Sequence, residues 1–161
     1  AWLYQVVLRS PATHALVSVD PSGHVVGFIA VTSDMHTLER TINQAMTWRR
    51  LTAIVVFLFF HPGAAIEALN RIRFTHYMKK KYPPIFPAIL TLGVDPNVQK
   101  SGQGSELVAL AVKICAAEKL SVLYVDTKVE NNGARKFYEK VGFIQLAVVV
   151  GNVLFAKPLA N

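Results

Sequence analysis

Two glycines and a lysine lie where a predicted strand meets a predicted helix, in the segment Gln-Lys-Ser-Gly-Gln-Gly at 99–104. Gly102 and Gly104 have no Cβ, so an anion can approach the backbone closely, and Lys100 adds a positive charge. The N–H groups of the first helical turn and the positive end of the helix dipole converge at the same place. These features predict a binding site for a phosphate-bearing ligand.

The glycine pattern differs from two well-known nucleotide-binding fingerprints. The dinucleotide fingerprint needs a third glycine where this chain has Leu107. The nucleotide P-loop needs Gly-Lys-Ser/Thr, whereas Gly104 is followed by Ser105-Glu106. What remains is the pattern Gln-x-x-Gly-x-Gly, whose specificity depends on the residues that follow it.

A second set of candidate residues begins at 131, after a predicted strand at 122–126. It reads Asn131-Asn-Gly-Ala134-Arg-Lys-Phe-Tyr138-Glu-Lys-Val-Gly142-Phe143. Ala134 and Tyr138 are four residues apart, so they share one face of a helix whose start carries Asn131. Asparagine is a favoured N-cap residue. A phenol with a pKa of about 10 stays protonated at neutral pH and can donate a proton.

Together, the two motifs resemble the GNAT superfamily of acetyl-CoA-dependent N-acetyltransferases, over roughly residues 86–158. The resemblance implies an acyltransferase that uses acetyl-CoA as cosubstrate and acetylates a primary amine of a small molecule or polypeptide. The alternative is a catalytically silent module of the same fold that binds acyl-CoA. The residues predicted to bind the cosubstrate are Leu92, Gly93, Val94, Gln99, Lys100, Ser101, Gly102, Gln103, Gly104, Ser105, Asn131, Ala134 and Tyr138.

Tyr138 is the predicted general acid, which protonates the departing CoA thiolate. The alternative is a core aromatic beside Phe137 and Phe143, and Phe137 is the better core candidate because it has no polar atom to satisfy. In the superfamily Asn131 hydrogen-bonds the pantetheine arm, a role that is compatible with capping its own helix.

Backbone N–H groups around 92–94 are expected to polarise the thioester carbonyl, at a bulge placed at Gly93. The strand 88–94 contains no carboxylate or histidine that would serve as the base. Deprotonation of the amine is therefore expected to pass through water to His61, Glu67 or His76, with no preference among them.

The order of predicted elements indicates a mixed α/β fold with a mostly antiparallel central sheet. The predicted strands are 15–19, 24–31, 88–94, 122–126, 144–150 and 152–158, and a helix covers 105–119. This helix places Leu107, Leu110, Ala111, Ile114 and Cys115 on one face. A right-handed crossover makes 88–94 and 122–126 parallel, and the resemblance implies that these two strands splay apart.

Residues 34–82 are predicted to be a helical insertion within a single domain over 1–161, which lacks the superfamily's usual N-terminal strand and helix. Asp34 is the predicted N-cap, and Pro62 belongs to the first turn of a later helix. The insertion either lies over the acceptor side or forms a packing element or homodimer surface. Residues 51–60 are apolar on all sides and are a buried helix or a strand, with helix favoured. An exposed patch there would imply a partner, a lipid surface or an apolar substrate.

The composition predicts a folded domain, since 52% of the 161 residues are hydrophobic and the mean hydropathy is +0.34. The net charge of +7 fits a basic surface that attracts a polyanionic cosubstrate, and no nucleic-acid motif is present. Cys115 is the one cysteine, so an internal disulfide is excluded, in keeping with a cytoplasmic setting. The scattered histidines indicate no metal site, and the apolar stretch 51–60 is too short to span a bilayer.

Overall fold

A computed structural model describes residues 2–82, 86–99 and 101–159; Lys100 and the side chain of Lys79 lie outside the description. The described elements are α1 Trp2–Arg9, β1 Thr13–Val19, β2 Val25–Thr32, α2 Met35–Ala45, α3 Trp48–Phe60, α4 Pro62–Lys81, β3 Ala88–Val94, α5 Gln103–Ala117, β4 Val122–Lys128, α6 Asn132–Lys140, β5 Ile144–Val149 and β6 Asn152–Pro158. A short 3-10 turn, Pro96–Val98, precedes α5.

The strands form one sheet in the order β1-β2-β3-β4-β6-β5. The β3–β4 pair is parallel and the other neighbours are antiparallel, which confirms the predicted mixed α/β class. Among the described residues, β3 and β4 share the single pairing Ala88–Tyr124, supported by a bond of 3.0 Å from Tyr124 N–H to the Pro87 carbonyl. The two strands therefore diverge beyond this pairing and leave a gap between their C-terminal halves.

Helix α5 covers one face of the sheet with an apolar stripe. Leu107, Ala111 and Cys115 recur at four-residue spacing and are buried against β2, β3 and β4. Leu110 was predicted to share this face and is exposed instead, because Leu107 and Val108 together centre the buried stripe away from it.

Helix α4 covers the opposite face of the sheet. Its residues Phe74 and Met78 pack with Ala88, Tyr124 and Leu154, which come from three neighbouring strands. Pro62 occupies the first turn of α4, as predicted. The N-terminal cap of α2 is also as predicted: an Asp34 carboxylate oxygen accepts the His36 N–H at 2.9 Å.

Helix α3 confirms the prediction of a helix over the apolar stretch, but the expectation that this helix is buried is wrong. None of its 13 described residues is buried, whereas an apolar helix inside a protein packs on all sides. Within the described ranges, no single helix is long and apolar enough to cross a membrane. Trp48–Phe60 and Pro62–Met78 meet the length and composition requirement only as a pair bent by 119°.

Candidate active site

The gap between β3 and β4 leaves backbone N–H groups of β3 without a neighbouring strand. The N–H of Asp95 donates to the Val26 carbonyl of β2 at 2.8 Å. Since successive N–H groups of a strand point to opposite sides, this bond fixes which N–H groups of β3 point towards β2. By that alternation the Gly93 N–H also faces β2, while the N–H groups of Leu92 and Val94 face the gap. Two donors on one strand edge are thus available to an extended ligand lying in the gap.

The bulge in β3 lies at Leu90, whereas it was predicted at Gly93. In the β2–β3 register, Ala30 is opposite Thr91 and Val31 is opposite Ile89, so Leu90 is the extra residue. Gly93 pairs regularly with Phe28 and is required for a different reason. A Cβ at Gly93 would lie 2.6 Å from Cε1 of Phe28, so glycine makes room for this ring.

The predicted phosphate loop forms an anion cradle at the start of α5. Gly102 is the N-cap residue, with φ of +96° and ψ of −15°, and the space that a Cβ would occupy is open. The first intrahelical bond runs from the Glu106 N–H to the Gly102 carbonyl at 3.0 Å. The N–H groups of Gln103, Gly104 and Ser105 therefore point out of the helix end, where the dipole favours an anion.

Several side chains of this loop bind other parts of the protein. Gln99 Nε2 donates to the Val94 carbonyl at 3.3 Å, and the Ser101 hydroxyl donates to the Val98 carbonyl at 2.6 Å. The Gln103 side-chain oxygen accepts a hydrogen bond from the Ser18 hydroxyl of β1. These residues hold the loop in place and leave the backbone amides at the start of α5 facing outward.

Gly104 has a packing role that its position in the motif does not reveal. A Cβ at Gly104 would lie 3.3 Å from Cε2 of Phe137, so the first turn of α5 approaches α6 closely. The missing side chain at Gly104 thus serves helix packing, while Gly102 keeps the cradle open.

Helix α6 begins as predicted at Asn131. The Asn131 Oδ1 accepts the Ala134 N–H at 3.1 Å, which confirms the capping role. Its amide group Nδ2 is not part of this bond and can donate to a ligand.

Tyr138 is buried, with 7% of its surface exposed, and belongs to the main core cluster. Its ring centroid lies 5.4 Å from Phe137, 5.6 Å from Phe143 and 6.1 Å from Phe155. Phe137 was expected to be the better core residue and is only partly buried, because its ring lies beside Gly104 in the first turn of α5. Burial, with a smaller contribution from the Asp126 charge, raises the pKa of Tyr138 to about 12.

A cleft of about 190 Å³ lies on the α4 face of the sheet, beside the strand gap. Its walls are Met35, His36, Glu39, Arg71, Phe74, Thr75, Met78, Phe86, Ala88, Ile89, Leu90, Tyr124, Val125, Asp126 and Leu154. The rings of Phe86 and Tyr124 are stacked there, 4.2 Å apart at 14°. The cleft is therefore largely apolar, and its acidic and basic wall residues are His36, Glu39, Arg71 and Asp126.

An ion pair joins the two sides of this cleft. Arg71 Nη1 of α4 donates to Asp126 Oδ2 of β4 at 2.5 Å. One helical turn earlier, Glu67 accepts from Lys128 at 2.7 Å. Both pairs border a wider cavity of about 750 Å³, which shares Arg71, Ile89, Leu90 and Asp126 with the cleft. The ion pairs hold α4 over the C-terminal half of β4.

Asp126 was not among the residues selected from the sequence. It was treated as the last residue of a strand, and a carboxylate ending an otherwise apolar strand was the available signal. Strand alternation places Asp126 and Tyr124 on the α4 face, while Val125 faces the cluster that contains Tyr138.

The three residues considered as bases lie in different parts of the protein. Glu67 lines the wider cavity and pairs with Lys128, which lowers the pKa of the Glu67 carboxyl. His61 lines neither cavity and shares a hydrogen bond of 2.8 Å with the Phe57 carbonyl. His76 lies in a third, apolar groove between α1, α2 and the α3–α4 pair. Among the described residues, no group of three His, Cys, Asp or Glu side chains is placed to hold a metal ion.

Comparisons with solved structures identify the same fold in several proteins, some of which are described as acetyltransferases. SsHAT superposes with a TM-score of 0.64 at 20% identity, covering 91% of this chain and 73% of that chain. PH1933 from Pyrococcus horikoshii OT3 gives 0.61 at 17% identity, with 99% and 71% covered. A protein from Bacillus anthracis str. Ames, assigned as a streptothricin acetyltransferase and solved with acetyl coenzyme A, gives 0.60 at 16% identity, with 98% and 68% covered.

At these identities the structural likeness establishes the fold. No curated protein sequence matches the chain significantly. The family model described as "Acetyltransferase (GNAT) family" matches residues 2–143, which is most of the sequence. The chain therefore belongs to the GNAT acetyltransferase family.

Proposed function

We propose that this protein is an acetyl-CoA-dependent N-acetyltransferase that acetylates a primary amine of a small molecule or polypeptide. The observation that carries the proposal is the position of the strand gap. Unpaired N–H groups of Leu92 and Val94 line one edge of the gap, and the anion cradle at Gly102 lies just beyond the end of β3. Asp126 of β4 points to one face of the sheet, and Tyr138 packs with Val125 of β4 on the opposite face.

The cradle and the gap fit the two ends of coenzyme A. The N–H groups of 103–105 suit a pyrophosphate, and the open space at Gly102 allows it to approach the backbone. The pantetheine arm, which contains two amides, can extend along β3 and bond to Leu92 and Val94 as an added strand would. The Nδ2 group of Asn131 offers a further donor at the start of α6.

Acetyl transfer forms a C–N bond, breaks the C–S bond and moves two protons. A backbone N–H of β3 stabilises the negative charge that develops on the carbonyl oxygen. The Tyr138 hydroxyl gives its proton to the departing sulfur, since its raised pKa keeps it protonated near neutral pH. The acceptor ammonium loses two protons: one leaves through water to the solvent-facing side of the cleft before attack, and the second leaves the nitrogen after the C–N bond has formed and, through water, restores the Tyr138 hydroxyl.

The cleft on the α4 face is the proposed acceptor site. Its volume of about 190 Å³ is below the usual range for ligand pockets, which favours a compact amine or a single residue of a polypeptide. The Asp126 carboxylate, fixed by Arg71, can hold the acceptor ammonium at the strand gap. The stacked pair Phe86–Tyr124 provides an apolar wall for the remainder of the acceptor.

The test combines acetyl-CoA binding, followed by thermal shift, with a screen of primary amines that detects release of free CoA. Binding together with acetylation of an amine supports the proposal. Binding without CoA release from any amine would instead indicate the silent acyl-CoA-binding module. A protein that acetyl-CoA does not stabilise at all would contradict both functions.

A further inference from the structure

The outward face of α3 is an apolar surface that the described protein does not cover. Phe59 and Phe60 are 81% and 70% exposed, and Trp48, Val55 and Val56 are also exposed. The least exposed residues, including Ile54 and Leu58, recur at four-residue spacing and face the body of the protein. The helix is thus held along one side and presents large apolar side chains on the other.

The positive charge of the protein is concentrated in the same helix pair. Residues 48–81 contain seven basic residues against one acidic residue, a balance of +6, whereas the whole chain has a net charge of +7. The basic residues are Arg49, Arg50, Arg71, Arg73, Lys79, Lys80 and Lys81. Two of them are engaged within the protein, because Arg71 pairs with Asp126 and Arg50 lies 4.5 Å above the Trp2 ring.

Charged and apolar side chains share the exposed faces of both helices. Arg49 is seven and eleven residues before Val56 and Phe60, so these three lie on one stripe of α3. On α4, Arg73 is seven residues after Ile66, which is also exposed. The surface therefore combines apolar side chains with cations at helical spacing.

We infer that the exposed face of α3, with the adjoining part of α4, docks on an anionic lipid surface. The 13 residues of α3 extend about 20 Å, so the helix lies along the interface with its aromatic residues at the level of the acyl chains. Trp48 suits the boundary between headgroups and acyl chains. Arg49, Arg73 and Lys80 meet the anionic headgroups.

The positive charge of this face favours a lipid surface, rather than a second copy of the chain, as the partner that docks on α3. A symmetric pair through α3 would bring two like-charged surfaces together, each with Arg49 exposed on the α3 stripe, and like charges facing each other oppose association. An anionic bilayer complements the cations and accepts the apolar side chains in the same contact. Each basic residue near such a surface adds to the attraction.

The test measures flotation of the protein with vesicles of phosphatidylcholine and phosphatidylglycerol, and with vesicles of phosphatidylcholine alone. We expect binding to the anionic vesicles that decreases as salt is added. The double variants Phe59→Ser/Phe60→Ser and Arg49→Gln/Arg73→Gln should each weaken binding at least tenfold. The control is Ile144→Ser/Val148→Ser, which changes residues that are 61% and 57% exposed on β5 and should bind as the parent does.

Circular dichroism establishes that each variant is folded before its binding is compared. Equal binding of the Phe59/Phe60 variant and the parent would overturn the inference, as would equal binding to neutral and anionic vesicles. Absence of vesicle binding, with a dimer that Phe59→Ser/Phe60→Ser dissociates in sedimentation, would assign the face to a second copy. The docking inference does not depend on acetyl transfer, so failure of either leaves the other intact.

Discussion

Tyr138 packs on one face of the sheet, and the Asp126 side chain of β4 points to the other face. Tyr138 belongs to the cluster under α5 and α6, while Asp126 pairs with Arg71 of α4. The two are close enough for the Asp126 charge to contribute to the raised pKa of Tyr138. A thioester in the gap would therefore have a proton donor on one side and an acceptor-binding carboxylate on the other.

Replacing Tyr138 by phenylalanine should lower kcat at least tenfold with little change in acetyl-CoA binding. The variant removes only the hydroxyl, and general acid catalysis contributes about 10²–10⁴-fold. Tyr124→Phe is the matched control, because it removes the hydroxyl of another buried tyrosine, one that lines the acceptor cleft. Steady-state kinetics that give Tyr138→Phe the parental kcat would leave Tyr138 a packing residue.

The pH dependence of kcat offers a second measurement on Tyr138. A folded-state pKa of about 12 means that the hydroxyl stays protonated throughout pH 6–10. Any loss of activity below pH 10 must then come from another group. A basic limb near pH 9 that disappears in Tyr138→Phe would contradict the raised pKa.

Replacing Asp126 by asparagine should raise the acceptor KM about tenfold and leave the KM for acetyl-CoA unchanged. The reason is that a hydrogen bond to a charged partner is worth about 1.5–3 kcal/mol, and this carboxylate is the proposed partner of the ammonium. Glu67→Gln is the matched control, because it removes the other ion pair that joins α4 to β4. An equal effect of the two variants would indicate that Asp126 acts only by holding α4 in place.

Replacing Gly102 by alanine should abolish the thermal stabilisation by CoA. The added Cβ enters the open cradle, and the φ of +96° costs an alanine about 1 kcal/mol of folding stability. Gly23→Ala controls for the strain, since Gly23 has a φ of +84° and equally open surroundings in the β1–β2 turn. If CoA stabilises both variants equally, the cradle is not the pyrophosphate site.

Cys115 should resist thiol reagents in the folded protein. Burial raises the pKa of the Cys115 thiol to about 11, well above its ordinary value of 9.0. The thiolate fraction at pH 8 is then about 100-fold lower than in the unfolded chain, and the side chain is fully buried. Labelling rates measured with and without guanidinium test this, and rapid labelling of the folded protein would contradict it.

The same shift in pKa links Cys115 to the stability of the protein. A raised folded-state pKa favours the folded protein below pH 9, and this contribution is lost as pH rises from 9 towards 11. The free energy of unfolding should therefore decrease over that window, more in the parent than in Cys115→Ala. Denaturant titrations at several pH values provide the measurement.

The local sequence pattern was sufficient to predict the role of a residue wherever that role depends only on its own chain segment. Asp34 and Asn131 cap helices because their side-chain oxygens reach N–H groups two or three residues ahead. Gly102 ends a loop at a helix start because the left-handed backbone there strongly favours glycine. The parallel β3–β4 pair followed from the sequence of elements, since a helical crossover joins these two strands.

Tertiary packing decided the features that depend on contacts between distant segments. The bulge lies at Leu90 because the β2–β3 register places it there, and Gly93 is glycine to admit the ring of Phe28. Tyr138 is more buried than Phe137 because α5 and β6 close over it, which helical spacing alone does not show. Asp126 belongs to the candidate site because it is bonded to Arg71, which lies 55 residues earlier in the sequence.

The exposure of α3 also came from the tertiary structure alone. An apolar run predicts that a segment avoids water, and this requirement is met equally by a core, a partner or a lipid surface. The fold places this helix outside the sheet and its two helical layers, so the protein's own core does not bury Phe59 and Phe60. Sequence determined that the helix is apolar, and its position in the fold determined that the apolar face is exposed.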